Sequence, residues 1–328
     1  MTYTAFEAAV KNAETVLLMP HVGPDADSLG SILGIKFGLE KTYPNLKHVH
    51  AVMAGPVPAV YRFLPGWQSV ENIEDPDITQ KLLPDYDVVI AADCGSLDRL
   101  GEPGRYFKAA KTSINLDHHV SNNRFGTLNI VEVDAGASGL VVARLFDTLG
   151  IAFDENIAPN LYAAIVTDTG GFKYSSTSVE IFELAARLMA AGANPETIYK
   201  YVYENRPVGQ VRMQAEAVLR ADYECDGRLA YTHVTRDDLA RHNCPDEHVD
   251  GLVEQLRNID TVKLAAVFKA HRDGTTKVSF RSDDPIYNVA EVAGQFGGGG
   301  HKMASGCTVE ASMDEAKLRV LPLLKALL

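Results

Sequence analysis

The residues best suited to chemistry in this sequence are histidines and aspartates that follow short apolar runs. Directly after Val16-Leu17-Leu18-Met19 comes His21-Val22-Gly23-Pro24-Asp25-Ala26-Asp27-Ser28, with one imidazole and two carboxylates in close succession. Like charges so close repel unless a cation sits between them. A further carboxylate, Asp93, opens Asp93-Cys94-Gly95-Ser96 after the apolar stretch Asp87 to Ala92. Asp117-His118-His119 follows Ser113 to Leu116, and Asp168 closes the pattern begun at Leu161 and leads into Thr169-Gly170-Gly171-Phe172. Successive side chains on an extended chain point to opposite faces. His118 and His119 therefore need a loop or two separate roles, one binding metal through a neutral nitrogen and one contacting substrate. Read singly, each segment also suits a solvated turn, a helix cap or a surface histidine pair.

Of the five aspartates and three histidines in these segments, four aspartates and two histidines as ligands are enough for two octahedral divalent cations that share a carboxylate. The set is oxygen-rich and free of thiolates, which points to Mn2+ or Mg2+ rather than structural zinc, and the imidazoles favour manganese. Two such ions about 3.5–4 Å apart make a site for phosphoryl transfer.

Such groups converge when strands deliver them to one edge of a sheet. Apolar runs at Val16 to Met19, Val49 to Met53, Asp87 to Ala92, Ser113 to Leu116 and Leu128 to Val133 read as strands. Helical patterns occupy Ser28 to Tyr43, Ser138 to Leu149, Ile157 to Asp168 and Ser178 to Ala191. Alternating strands and helices predict an α/β fold with a mainly parallel sheet flanked by helices. In open sheets of this kind, ligands collect at the carboxyl ends of the strands. Gly30, Gly34 and Gly38 leave one helix face bare, and since glycine weakens a helix, the stripe predicts close packing.

The pattern changes after Pro195 to Arg220, which reads as helix without strand. Strands are expected at Arg228 to Val234, Val262 to His271 and Lys277 to Arg281, and helices at Val249 to Ile259, Tyr287 to Phe296 and Ser312 to Leu328. The boundaries predicted are a metal-binding catalytic domain over 1–192, a helical linker over 193–220 and a smaller α/β domain over 221–328.

With 328 residues, more than one core is the ordinary expectation. The four cysteines, Cys94, Cys225, Cys244 and Cys307, form no CxxC pair and fit a reducing cytoplasm. No apolar run approaches a membrane span, and the first residues lack the pattern of a signal peptide. A formal net charge of −12 argues against a grip on long duplex nucleic acid. Any nucleic-acid substrate is expected to be short, and a homodimer is compatible with the sequence.

The segments HVGPDAD, DCG, LDHH and TDTGGF resemble the four motifs of the DHH phosphoesterase family. Phe280-Arg281-Ser282 with Gly297-Gly298-Gly299-Gly300-His301-Lys302 is similar to that family's associated C-terminal domain. The likeness runs from about residue 15 to 310 and is greatest for the branch of nano-RNases that also dephosphorylate 3′-phosphoadenosine 5′-phosphate (pAp). The resemblance implies that His21 and Asp25 hold one cation and Asp27 the other, with Asp93 bridging and His118 and Asp168 completing the ligands of the second cation. It implies that His119 contacts the scissile phosphate, that Asp117 orients a histidine, and that a metal-activated water attacks without a covalent enzyme intermediate. One departure is Gly171, where many family members carry arginine.

The second half then reads as a substrate clamp. Period-two alternation puts Lys277, Ser279 and Arg281 on one face, and Arg281 can grip a phosphate in bidentate fashion. The Gly298-Gly299-Gly300 backbone N–H groups can approach an anion unobstructed, with His301 beside them. The activity expected is hydrolysis of short oligoribonucleotides to mononucleotides and of pAp to AMP. Alternatives are a phosphodiesterase for linear or cyclic dinucleotides, an inorganic pyrophosphatase or polyphosphatase, and a non-catalytic nucleotide-binding regulator.

Overall fold

A computed structural model describes residues 2–328, with only the backbone at Thr79. The chain forms two compact units, residues 1–205 and 206–328.

The first unit holds β1 (Thr15–Met19), β2 (His48–Met53), β3 (Val70–Asn72), β4 (Val88–Ala92), β5 (Thr112–Asp117) and β6 (Leu128–Val131). Its helices are α1 (Thr2–Lys11), α2 (Ala26–Thr42), α3 (Ile78–Lys81), α4 (Gly104–Ala109), α5 (Ser138–Leu149), α6 (Ile157–Asp168), α7 (Val179–Ala190) and α8 (Pro195–Tyr199). The six strands pair in the order β3-β2-β1-β4-β5-β6, all parallel. β1 and β4 are buried nearly throughout, as strands covered on both faces must be. One face packs on α2, α5 and α6 in the large core, and Leu17, Met19, Val89 and Ala91 fill a second core on the other face. The strand order reverses between β1 and β4, so the crevice at their carboxyl ends is where a ligand is expected.

The predicted strands and long helices are present, and the glycine stripe of α2 has the expected cause. A Cβ on Gly30 would collide with the Asn160 carbonyl oxygen, and one on Gly34 would lie 2.8 Å from Leu161 Cδ2. The helix thus lies directly on α6. Several short elements gave no sequence signal, among them α1, β3 and α4.

The second unit holds β7 (Asp222–Glu224), β8 (Leu229–Val234), β9 (Leu264–Ala270), β10 (Thr276–Ser282), β11 (Gly299–His301) and β12 (Ala304–Val309). Its helices are α9 (Val208–Leu219), α10 (Arg236–Arg241), α11 (Leu252–Arg257), α12 (Val289–Gly294) and α13 (Met313–Lys325). The sheet order is β11-β12-β10-β9-β8-β7, antiparallel except for β8 with β9. Its faces carry two cores, one around Phe268 and Phe280 and one around Leu252 and Val267. Among the described residues no helix is long and apolar enough to cross a membrane, and the four cysteines are free.

Candidate metal centre

His21 leaves the end of β1 and Asp93 leaves the end of the neighbouring β4, which puts both at the point of strand reversal. The Asp93 backbone continues the ladder, its N–H donating to the Leu116 carbonyl at 2.9 Å. It then turns at φ +58°, a left-handed conformation that a non-glycine residue adopts at some cost. This turn keeps the carboxylate in the crevice, where its two oxygens face different imidazoles. Oδ2 lies 3.5 Å from His21 Nε2, and Oδ1 lies 3.6 Å from His118 Nε2.

Three groups able to hold a cation include that carboxylate: His21–Asp25–Asp93, Asp27–Asp93–His118 and Asp93–Asp117–His119. Asp25 caps α2, accepting from the Ser28 N–H at 3.0 Å, while its Oδ1 lies 4.0 Å from His21 Nε2. The helix cap and the cluster member are thus one residue. Asp27, in the first turn of α2, is fully buried, and its oxygens accept from the Ser138 and Gly139 N–H groups at 2.7 and 2.8 Å. The first turn of α5 therefore compensates part of its charge. Asp168, the last residue of α6, brings Oδ2 within 3.2 Å of His118 Nε2.

The hydrogen bonds fix the ring orientations. His118 Nδ1 lies 3.1 Å from the Ala135 carbonyl oxygen, which sets the proton on Nδ1 and turns the Nε2 lone pair toward Asp27, Asp93 and Asp168. His119 Nδ1 meets Asp117 Oδ1 at 2.8 Å, so the orienting carboxylate serves His119 rather than His118. Asp117 also accepts from Asn122 Nδ2 at 2.5 Å.

The charges are severe. Burial first, and then the charge of Asp93, pushes the Asp27 and Asp168 carboxyls well above their usual range, and Asp25 is raised for the same reasons. Burial would also raise Asp93, but its contact with His21 and the charges of His119, His21 and His118 outweigh that and hold it well below. Burial disfavours a charged His119, yet the Asp117 hydrogen bond and the charge of Asp93 prevail, and its pKa is pushed up to about 9. Among the described residues no lysine or arginine is ion-paired with Asp25, Asp27, Asp93, Asp117 or Asp168. Buried carboxylates without a basic side chain need another positive charge. A hard divalent cation bound by oxygen and imidazole fits this donor set.

All eight residues singled out in the first half of the sequence, from His21 to Asp168, thus gather at one end of the sheet. Sequence reasoning missed Ser138, Gly139, Ala135 and Asn122, which hold the acidic and imidazole groups in place. The only signal for the first two was their position at the start of an apolar helix. Gly171 lies at φ +71°, a left-handed conformation in which an arginine would be strained.

In the second unit, Arg281 and His301 are the register partners of Ala304 from either side of β12. Lys277 and Ser279 share a face with Arg281 along β10 and line a cavity of about 180 Å³ with Lys269 and Glu254. The Arg281 guanidinium is engaged within the unit: Nε and Nη2 approach Glu254 Oε1 at 2.8 and 2.7 Å. The glycine run is not an open loop, because Gly299 and Gly300 pair with β12 and a Cβ on Gly298 would collide with the Gly306 carbonyl oxygen.

This arrangement matches known proteins over most of the chain. Residues 15–166 match the N-terminal domain of the DHH family and residues 226–327 match the DHHA1 domain. The bifunctional oligoribonuclease and PAP phosphatase NrnA of Thermus thermophilus is 31% identical over 310 residues, 93% of this chain and 88% of that protein. The protein of the same name from Bacillus subtilis is 28% identical over 308 residues, covering 92% of this chain and 91% of its own. An exopolyphosphatase-related protein from Bacteroides fragilis superposes with a TM-score of 0.90 at 24% identity, covering 99% and 96% of the two chains, which shows a shared fold. The chain belongs to the DHH family of phosphoesterases.

Proposed function

We propose that the protein hydrolyses short oligoribonucleotides to mononucleotides and pAp to AMP, using two divalent cations, with Mn2+ preferred. The observation that carries this reading is that Asp93 is shared between the acid–imidazole groups His21–Asp25–Asp93 and Asp27–Asp93–His118. The activities in the names of its Thermus and Bacillus relatives support the choice of substrate.

In this reading His21, Asp25 and Asp93 hold one cation, and Asp27, Asp93, His118 and Asp168 hold the other. When bound, the cations supply Lewis acidity and a water acidified into the neutral range. The chain's own residues then set the geometry. Ser138 and Gly139 fix Asp27, and the Ala135 carbonyl holds the His118 tautomer. Asp117 keeps the proton on His119 Nδ1 and steadies the positive ring, which donates from Nε2 to the scissile phosphate as negative charge builds there. The second unit holds the nucleotide through Arg281 and the Gly298–His301 segment, with Arg281 exchanging Glu254 for a phosphate.

The test is a substrate panel with added Mn2+ or Mg2+: a 5′-labelled dinucleotide, pAp and pyrophosphate. Mononucleotides from the dinucleotide and AMP from pAp are expected. Turnover of pyrophosphate alone would favour the pyrophosphatase alternative, and nucleotide binding without hydrolysis would favour the regulator.

A further inference from the structure

Arg99 lies in the Leu97–Leu100 turn that follows β4. Its carbonyl accepts from the Val22 N–H at 2.7 Å, which stitches the β1 and β4 loops together beside the acidic cluster. Its guanidinium Nη2 stands 3.1 Å from His21 Nδ1, and the Val22 carbonyl oxygen stands 3.0 Å from the same nitrogen. One ring nitrogen cannot serve both, since a carbonyl asks for an N–H and a guanidinium asks for a lone pair.

The other edge of the ring decides between them. His21 turns Nε2 toward Asp93 and Asp25, and a lone pair offered to a cation there requires the proton on Nδ1. That proton satisfies the Val22 carbonyl and leaves the guanidinium facing an N–H group, with no bond to make. Among the described residues no Asp or Glu is ion-paired with Arg99, and the side chain is exposed. A permanent cation without a counter-ion thus stands beside the candidate metal centre. Phosphate is the anion whose oxygens a guanidinium matches in bidentate fashion.

Resting on the reading proposed above, we infer that Arg99 binds the non-scissile phosphate of the substrate and confers a preference for nucleotides that carry two phosphates. The scissile phosphate belongs on the Asp93 side of His21, whereas Arg99 stands at the opposite edge of the ring. The group it can reach is therefore a neighbouring phosphate. A 5′-phosphorylated dinucleotide and pAp both offer one, and an unphosphorylated dinucleotide does not.

The experiment compares pApA with ApA as substrates for the wild type, Arg99→Ala and Arg99→Lys in Mn2+. Metal content and melting temperature are measured on the same samples. The wild type should favour pApA by about 10- to 100-fold, the scale of one charge-assisted contact. Arg99→Ala should lose most of that preference through a higher KM for pApA, keep its Mn2+, and stay within about threefold of wild type on ApA. Arg99→Lys should recover part of the preference. A wild type that treats both substrates alike would overturn the inference, as would equal losses on both or a fall in bound Mn2+, which would make Arg99 a support for His21. Failure of the wild type to cleave either substrate would instead overturn the phosphoesterase reading beneath it.

Discussion

The Ser138 hydroxyl donates to Asp93 Oδ1 at 3.0 Å, tying the first turn of α5 to the left-handed aspartate after β4. Both groups are buried, so water cannot replace the bond. A hydrogen bond to a charged group contributes about 1.5–3 kcal/mol. Ser138→Ala should therefore weaken Mn2+ binding by about tenfold or more, since the Asp93 carboxylate is freed to rotate. Titration calorimetry checks this, and unaltered affinity would show that the backbone alone fixes Asp93.

Asp93→Ala should nearly abolish turnover, because its two oxygens face the imidazoles of both groups. Mn2+ added at about 100 times its dissociation constant should stabilise the wild type by about 2.7 kcal/mol, an effect that EDTA reverses. The variant should show little of this shift. A thermal melt with and without Mn2+ measures it, and a near-normal rate in the variant would refute the shared role of Asp93.

The sequence exposed the parallel sheet and the convergence of its histidines and aspartates for a physical reason. Buried strands read as unbroken apolar runs, and the residue after each run must lie at the sheet's carboxyl edge. His21 and Asp93 were legible in this way. The tautomers were not, since they depend on backbone carbonyls such as Ala135, which carry no residue-type signal. Ser138 was hidden because a serine opening a helix usually caps it, whereas here the N-cap is Ala137 and Ser138 serves Asp93. The pairing of Arg281 with Glu254 was also invisible, because it joins β10 to α11 over 27 residues with β9 between them, a contact that alternation cannot predict.

Gly30→Ala tests the packing of α2 on α6. An alanine usually strengthens a helix interior, by up to about 1 kcal/mol relative to glycine. Here the new methyl group would meet the Asn160 carbonyl, a backbone atom that cannot swing aside. Overpacking of that kind costs about 1–3 kcal/mol, so the net change should be destabilising. Urea denaturation should show a lower midpoint for the variant, and a higher one would mean that the helices separate without strain.

Acid should act on the second unit through Asp238. Burial favours the neutral carboxyl, but Arg220 contacts both oxygens, at 3.0 and 2.5 Å, and the Thr235 N–H donates at 2.8 Å. Together they hold the carboxyl well below its usual range. A depressed folded-state pKa means that the unfolded chain takes up the proton first as pH falls. The stabilisation is thus complete above the unfolded value of about 4 and is lost as pH falls through the folded one. Asp238→Asn should be clearly less stable than the wild type at pH 6, and the gap should narrow between about pH 4 and pH 2. Urea denaturation followed by circular dichroism across that range is the measurement, because the single tryptophan, Trp67, reports on the other unit. The absence of a gap at any pH would mean that Asp238 contributes through its capping hydrogen bonds to Thr235, which an asparagine can keep, rather than through its charge on Arg220.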